Sequence, residues 1–217
     1  AAERIEFIHH LNESGDTEGL AEVLSTEGHS LVSAGHTELL GILRPLEGQS
    51  FDPKSWCIIR ELRGDILSIQ GRWDDAEAEY EAAIPFARKH KMAHELARLL
   101  SARADIAVKR GAMDDALEMH RKSLEIQVSL RDAVGAARSY NNMGYIYRRR
   151  KDNRRALEVY GNVEDLLDAE DNPELCDARI RLASAFLEMG EMDRARDHAM
   201  TAFEETEDQM DIVHARA

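Results

Sequence analysis

Cysteine is nearly absent from this sequence: its 217 residues include two, Cys57 and Cys176. Two thiols cannot build a disulfide framework, and without a secretion signal they indicate a reduced, cytoplasmic setting. Proline is also scarce, with four residues, and two of them read as helix starts rather than breaks. Aromatic side chains make up only 6%. No run of roughly 18 apolar residues occurs, so no membrane-spanning helix is expected. The first residues, Ala1-Ala2-Glu3-Arg4-Ile5-Glu6, lack the basic start and apolar stretch of a signal peptide. There is no Gly-x4-Gly-Lys-Ser/Thr phosphate loop and no Gly-x-Gly-x-x-Gly. Lysine is short as well, 6 residues against 22 arginines, a bias that a salt-adapted host and a GC-rich genome would both produce. Acidic residues outnumber basic ones by 42 to 28, for a net charge of −14. That balance argues against a freestanding nucleic-acid binder.

What the chain does have is an internal repeat. Gly71-Arg72-Trp73-Asp74-Asp75-Ala76 returns 40 residues later as Gly111-Ala112-Met113-Asp114-Asp115-Ala116. It returns again as Lys151-Asp152-Asn153-Arg154-Arg155-Ala156 and as Gly190-Glu191-Met192-Asp193-Arg194-Ala195. A small residue stands seven positions before each block: Gly64, Ala104, Gly144 and Ala183. Each copy reads as two helices around a tight turn, with the glycine in a left-handed conformation and the following Asp capping the second helix. Apolar residues recur at three- and four-residue spacing, as in Ile66, Leu67 and Ile69, or Leu117, Leu124 and Val128. Asp52-Pro53 and Asn172-Pro173 pair a capping side chain with proline at the first helical position. Pro85 is expected to kink or end its helix. The spacing predicts helix pairs at 53–70 with 73–90, 92–110 with 113–130, 132–150 with 153–170, and 173–189 with 192–207. No alternating strand pattern competes, so the expected fold is all-α.

The pattern resembles the tetratricopeptide repeat (TPR) in its form of about 40 residues. The family's small–aromatic–turn–alanine signature is fullest in Asn141-Asn142-Met143-Gly144-Tyr145-Ile146-Tyr147 with Ala156 and Tyr160. The first repeat keeps Gly64, Leu67, Gly71, Ala76, Tyr80 and Ala83, whereas His120 and Ala199 replace the second-helix aromatic in repeats two and four. The resemblance covers residues 53–207 and implies an α-α superhelix, a solenoid of antiparallel helix pairs. Four repeats and the start of a fifth pair at Asp211-Ile212-Val213 then fill residues 51–217. Residues 1–50 carry weaker echoes, at Gly15-Asp16 and Gly35-His36, read as short, degenerate hairpins. This part is similar to the start of the helical sensor arm of MalT-like signal-transduction ATPases. That likeness implies a parent longer in both directions, with the chain as the sensing arm of a larger signal-transduction or transcription regulator. A standalone adaptor that binds an acidic or C-terminal peptide is the alternative, and a phosphate- or nucleic-acid-binding solenoid using the arginine run at 148–155 is a third reading.

No enzyme, cofactor or metal site emerges from the sequence. His90 and His94 are four apart, but they straddle a predicted turn with no third ligand nearby. Of His9 and His10, the second reads as packing and the first as surface. Cys57 and Cys176 hold equivalent positions in repeats one and four. Helices ~8–10 Å apart put them beyond the ~7 Å Cα limit for a disulfide, so both read as small core residues. Binding is expected instead along the concave side lined by first helices, in a groove for a protein or peptide partner or a small effector. The helical register turns Ile58, Leu62, Arg98, Ala102, Arg138, Asn142, Asp177 and Arg181 toward it, with Tyr145 further along.

Arg98, Arg138, Asn142, Tyr145 and Arg181 are the candidate groove residues. Guanidinium groups present paired donors to carboxylates, Asn pairs with a peptide bond, and Tyr adds a flat apolar face. Salt bridges to acids on neighbouring repeats, such as Asp105 and Asp177, explain the same arginines without a ligand. A basic run, Arg148-Arg149-Arg150-Lys151 with Arg154 and Arg155, is a candidate patch for an acidic partner. It also suits the negative end of a first helix. Charge is distributed accordingly: −7 over 1–56, −1 over 57–130, +6 over 131–155 and −12 over 156–217.

Overall fold

A computed structural model describes residues 2–44, 46, 51–167 and 172–215, with side chains up to residue 204. All regular secondary structure among the described residues is helical, and none is strand. The chain divides into two compact units, Ala1–Ala112 and Met113–Ala217.

The first unit holds α1 (Ala2–Ser14), α2 (Thr17–Ser33), α3 (Leu39–Leu43), α4 (Pro53–Ile69), α5 (Trp73–Lys89) and α6 (Ala93–Lys109). The second holds α7 (Met113–Leu130), α8 (Ala133–Arg149), α9 (Asn153–Leu166), α10 (Pro173–Met189) and α11 (Met192–Ala215). The boundaries expected from the 40-residue spacing fall within a residue or two of these helices. The exceptions are the last residues of 153–170, of which 168–170 lie outside the described residues, and the end of α11. That helix runs on to Ala215, so Asp211-Ile212-Val213 continues the last helix instead of opening a new one. Residues 45, 47–50 and 216–217 of the two end segments also lie outside the described residues.

Several local expectations are corrected. Gly71, Gly111 and Gly190 do turn with φ of 75°, 82° and 82°, but the third turn uses Lys151 at φ 62°. The aspartates after the turns cap only once, where Asp152 Oδ1 accepts from Arg155 N at 3.2 Å. Asp74, Asp75, Asp114, Asp115 and Asp193 sit within the first turn, where a negative charge faces the positive helix end. Pro85 does not end α5, which continues to Lys89. It is exposed, as is Glu81 one turn earlier, so the carbonyl that loses its amide partner can face water. His10 is exposed; Ile8 and Leu11 provide the buried face of α1. The second helix is not short: α2 is as long as the repeat helices at 17 residues.

Packing follows the small residues. In α4 and α5, Gly64 lies against the buried Tyr80 ring, and in α8 and α9 Gly144 lies against Tyr160 in the same way. The alanine six positions into each turn block is buried: Ala76, Ala116, Ala156 and Ala195. In the second unit Ala137, Val163, Leu167, Leu175 and Ala178 form one apolar cluster, flanked by Ala133 and Tyr140.

The start of α4 carries a testable cap. Asp52 Oδ1 accepts from the amides of Lys54 and Ser55 at 2.9 and 3.2 Å, and Asp52 also takes the Ser55 hydroxyl. The Ser55 hydroxyl first, and the two amides with it, hold the carboxyl below its ordinary range against a weaker opposing effect of burial. Asp52→Ala is expected to cost about 1 kcal/mol at neutral pH. A depressed carboxyl stabilises above its unfolded pKa and loses that contribution as pH falls through the folded value. The gap between the two proteins in urea denaturation therefore closes below the usual carboxylate range. A gap unchanged down to strong acid would contradict this.

Candidate binding surface

The first-helix register places its candidate residues in four different surroundings. Ile58 and Leu62 are buried, not turned toward a groove. For Leu62 the reason is α2, which packs on α4 with Gly28 against the Leu62 side chain; a Cβ on Gly28 would lie 2.6 Å from Leu62 Cδ1. A first-helix pattern reports which residues share a face but not what covers that face.

Arg98 meets a buried acid. Its Nη2 donates to Glu61 Oε2 at 2.6 Å, and Glu61 is only 4% exposed. Burial pushes the Glu61 carboxyl above its ordinary range, while Arg98 and His29 pull it back. His29 of α2 approaches both Glu61 and Asp65, and the Tyr80 hydroxyl donates to Asp65 Oδ1 at 2.7 Å. Arg98 thus joins a polar cluster on α2, α4, α5 and α6.

In the second unit, α8 and α10 lie side by side. Arg138 is the most exposed of the group at 56% and donates Nε and Nη2 to Glu174 Oε1 at 3.0 and 2.8 Å. Arg181 Nε donates to Asp177 Oδ2 at 2.6 Å, within its own helix. Tyr145 is 36% exposed, and its ring centre is 5.9 Å from the Arg149 guanidinium and 5.8 Å from that of Arg181. Both distances fall inside cation–π range. Asn142 is half-buried beside them. Its neighbour Asn141 makes the inter-helix bond, donating Nδ2 to the Glu174 carbonyl at 2.9 Å. Beneath the patch, the Tyr160 hydroxyl is buried. Burial raises its pKa, against the opposing influence of Arg181 and Arg148.

Half of the basic run is paired with acids. Arg148 Nη2 donates to Glu188 at 2.7 Å, Arg150 Nη2 to Asp114 at 2.6 Å, and Arg155 Nε lies 3.5 Å from Asp152. Arg149 donates to the Tyr145 hydroxyl at 3.2 Å. Lys151 and Arg154 are exposed, and Lys151 with Arg148 helps hold the Glu188 carboxyl below its ordinary range, the Arg148 hydrogen bond being the larger cause. Of the expected acids, Asp177 does pair with Arg181, on its own helix, while Arg98 and Arg138 pair with Glu61 and Glu174. The cysteines differ too. Cys57 is buried, with its thiol pushed up to about 12 by burial first and then by Glu95 and Glu61. Cys176 is only half-buried. His90 rests its ring 4.3 Å from Phe86, and both it and His94 are exposed.

Two features escaped the sequence reading. One is the cluster of His29, Glu61 and Asp65, for which the i, i+4 acids on α4 were the only signal. The other is a groove of about 580 Å³ between α10 and α11, lined by Ile180, Leu187, Met192, Ala199 and Phe203 among others. Alanine at the aromatic position, Ala199, was its trace. Its one charged lining residue, Arg196, is paired with Asp193.

The comparisons agree with the helix-pair arrangement. A sequence profile described as tetratricopeptide repeat matches residues 57–127 and 95–169. A crystal structure of BtubC (BKLC) from P. vanneervenii is similar over 96% of this chain and 89% of its own, at 19% identity and a TM-score of 0.74. A Podosopora anserina putative kinesin light chain with nearly identical TPR-like repeats covers 96% and 95%, at 13% identity and a TM-score of 0.61. MamA covers 85% and 96%, at 16% identity and a TM-score of 0.57. A search of curated proteins returns no significant match. None of these findings extends to the MalT-like likeness of residues 1–50. No described helix is long and apolar enough to cross a membrane.

Proposed function

Because the chain belongs to the tetratricopeptide repeat family, we propose that it is a non-catalytic interaction module that takes an acidic peptide or protein segment on the α8–α10 face. The observation that carries this reading is the exposed Tyr145 ring with the Arg149 and Arg181 guanidinium groups 5.9 and 5.8 Å from its centre, on a face that also carries the half-exposed Arg138. A flat apolar face flanked by cations suits an extended segment bearing carboxylates. Asn142 is placed to address its backbone, and residues 131–155 carry +6 in an otherwise acidic chain. Glu174 and Asp177 hold the arginines in place and are displaced or shared on binding. Arg98, committed to the buried Glu61, is a supporting residue in this reading rather than a ligand contact. With Arg148, Arg150 and Arg155 of the basic run already paired with acids, phosphate or nucleic acid is the weaker reading.

The test is direct titration with a library of acidic peptides bearing free C-terminal carboxylates. Arg138→Glu is expected to weaken the best binder by about tenfold or more, since a charge-assisted pair becomes a repulsion, while Arg196→Glu leaves it unchanged. Equal affinity in both variants would remove the surface. The module further serves, in this proposal, as the sensing arm of a larger regulator. A phosphate loop encoded upstream of residue 1 in the same reading frame would support that role, and its absence would favour the adaptor.

A further inference from the structure

We propose that His29, Glu61 and Asp65 bind one divalent transition-metal ion of the zinc type, clamping α2 onto α4. This site is separate from the α8–α10 face and does not rest on it.

Glu61 and Asp65 are four apart on α4, so their carboxylates share one face. His29 is brought over them because Gly28, its neighbour, lets α2 approach the Leu62 side chain closely. His29 Nε2 is then 3.7 Å from Glu61 Oε2, and Nδ1 is 3.6 Å from Asp65 Oδ2. One ligand atom from each of the three residues lies within 4.8 Å of the others. These separations are too long for hydrogen bonds, and Nε2 is shielded from solvent with no hydrogen-bond partner. The two contacts use different ring nitrogens, and a single ion takes one of them. Ligands about 2.1 Å from a tetrahedral ion stand about 3.4 Å apart, so the three ligand atoms must close in from within 4.8 Å by rotation of the partly exposed His29 and Asp65 side chains.

The outer contacts fit a metal site as well. Arg98 donates to Glu61 at 2.6 Å and Tyr80 to Asp65 at 2.7 Å, fixing both carboxylates as outer-shell donors do. Arg98 offsets one of the two negative charges, and a bound cation answers the other. One imidazole and two carboxylates suit Zn²⁺, or Mn²⁺ with more water, and do not suit soft ions such as Cu⁺. His29 is one-third exposed, which gives an entry path and leaves a coordination position for water. Such an ion ties the helix that covers Leu62 to the first repeat.

The experiment uses the full chain, free of any affinity tag and stripped with chelator. Zn²⁺ is titrated by calorimetry and Co²⁺ by its visible absorption, with unfolding temperature measured with and without metal. One ion per chain is expected, with a rise in unfolding temperature. His29→Gln and Asp65→Asn are each expected to weaken binding by about tenfold or more, and His90→Gln not at all. Both active variants alter partly exposed side chains, and circular dichroism checks that they fold. Absence of stoichiometric binding would overturn the proposal. So would binding that survives both variants, because the imidazole would then serve only as a polar neighbour of the two carboxylates.

Discussion

Gly144→Ala is expected to lower stability by about 2–3 kcal/mol, although alanine is the better helix former by up to about 1 kcal/mol. A Cβ on Gly144 would lie 2.3 Å from Tyr160 Cε1, 2.5 Å from Cζ and 2.7 Å from Cδ1. All three are atoms of one rigid, fully buried ring, so no flexible end can swing aside. The ring or the helix must shift, and overpacking of this kind costs about 1–3 kcal/mol or more. Gly64 faces Tyr80 with the same 2.3 Å approach, so Gly64→Ala behaves alike. Gly161 in α9 is the internal control: a Cβ there meets nothing within 4 Å, and Gly161→Ala gains about 0.5–1 kcal/mol.

The decisive measurement is a double-mutant cycle by urea denaturation. Once Tyr160→Ala has removed the ring, adding Gly144→Ala is expected to stabilise. The sign of one substitution thus reverses with its partner. A Gly144→Ala cost that persists without the ring would place the strain elsewhere. The other repeats follow the same rule in their sequence. Where the small residue is alanine, at Ala104 and Ala183, the aromatic position holds His120 and Ala199.

That covariation was visible before any coordinates, and so was the period that set the helix boundaries. A repeated interval is a global signal, and it survives the loss of any one motif residue. Contacts from outside the repeat were not visible. Nothing in Leu62 states that α2 will cover it, since residues 1–50 follow a different spacing. Ion-pair partners were equally hidden, because proximity across helices is a matter of stacking. Yet Arg98–Glu61, Arg138–Glu174, Arg148–Glu188 and Arg150–Asp114 are separated by 37, 36, 40 and 36 residues. Each spans about one repeat, so the period itself would have found them. At the candidate surface, the residue types were legible at Arg138, Tyr145 and Arg181. Which of them an acid already engages was not.

Glu79→Ala is expected to cost about 3–5 kcal/mol, the range for removing one partner of a buried ion pair. Glu79 on α5 accepts from Arg63 Nη2 at 2.6 Å and from Arg60 Nη1 at 2.9 Å. The side chains of Glu79 and Arg63 are each 9% exposed. With the carboxylate gone, the Arg63 guanidinium keeps its burial and loses the 2.6 Å pair with Glu79, whereas Arg60 is free to turn to water. Replacing both members with apolar residues, as in Arg63→Met with Glu79→Leu, removes the desolvated charge entirely. The double variant is therefore expected near wild-type stability or above it. Because the pair is shielded, raising the salt concentration should change the single-variant cost little. A loss below 1 kcal/mol that shrinks further with added salt would show the pair to be effectively solvated. Hydrogen exchange of the α4 and α5 amides gives the local readout. It separates opening of this hairpin from global unfolding, since repeats that contact only their neighbours can open locally.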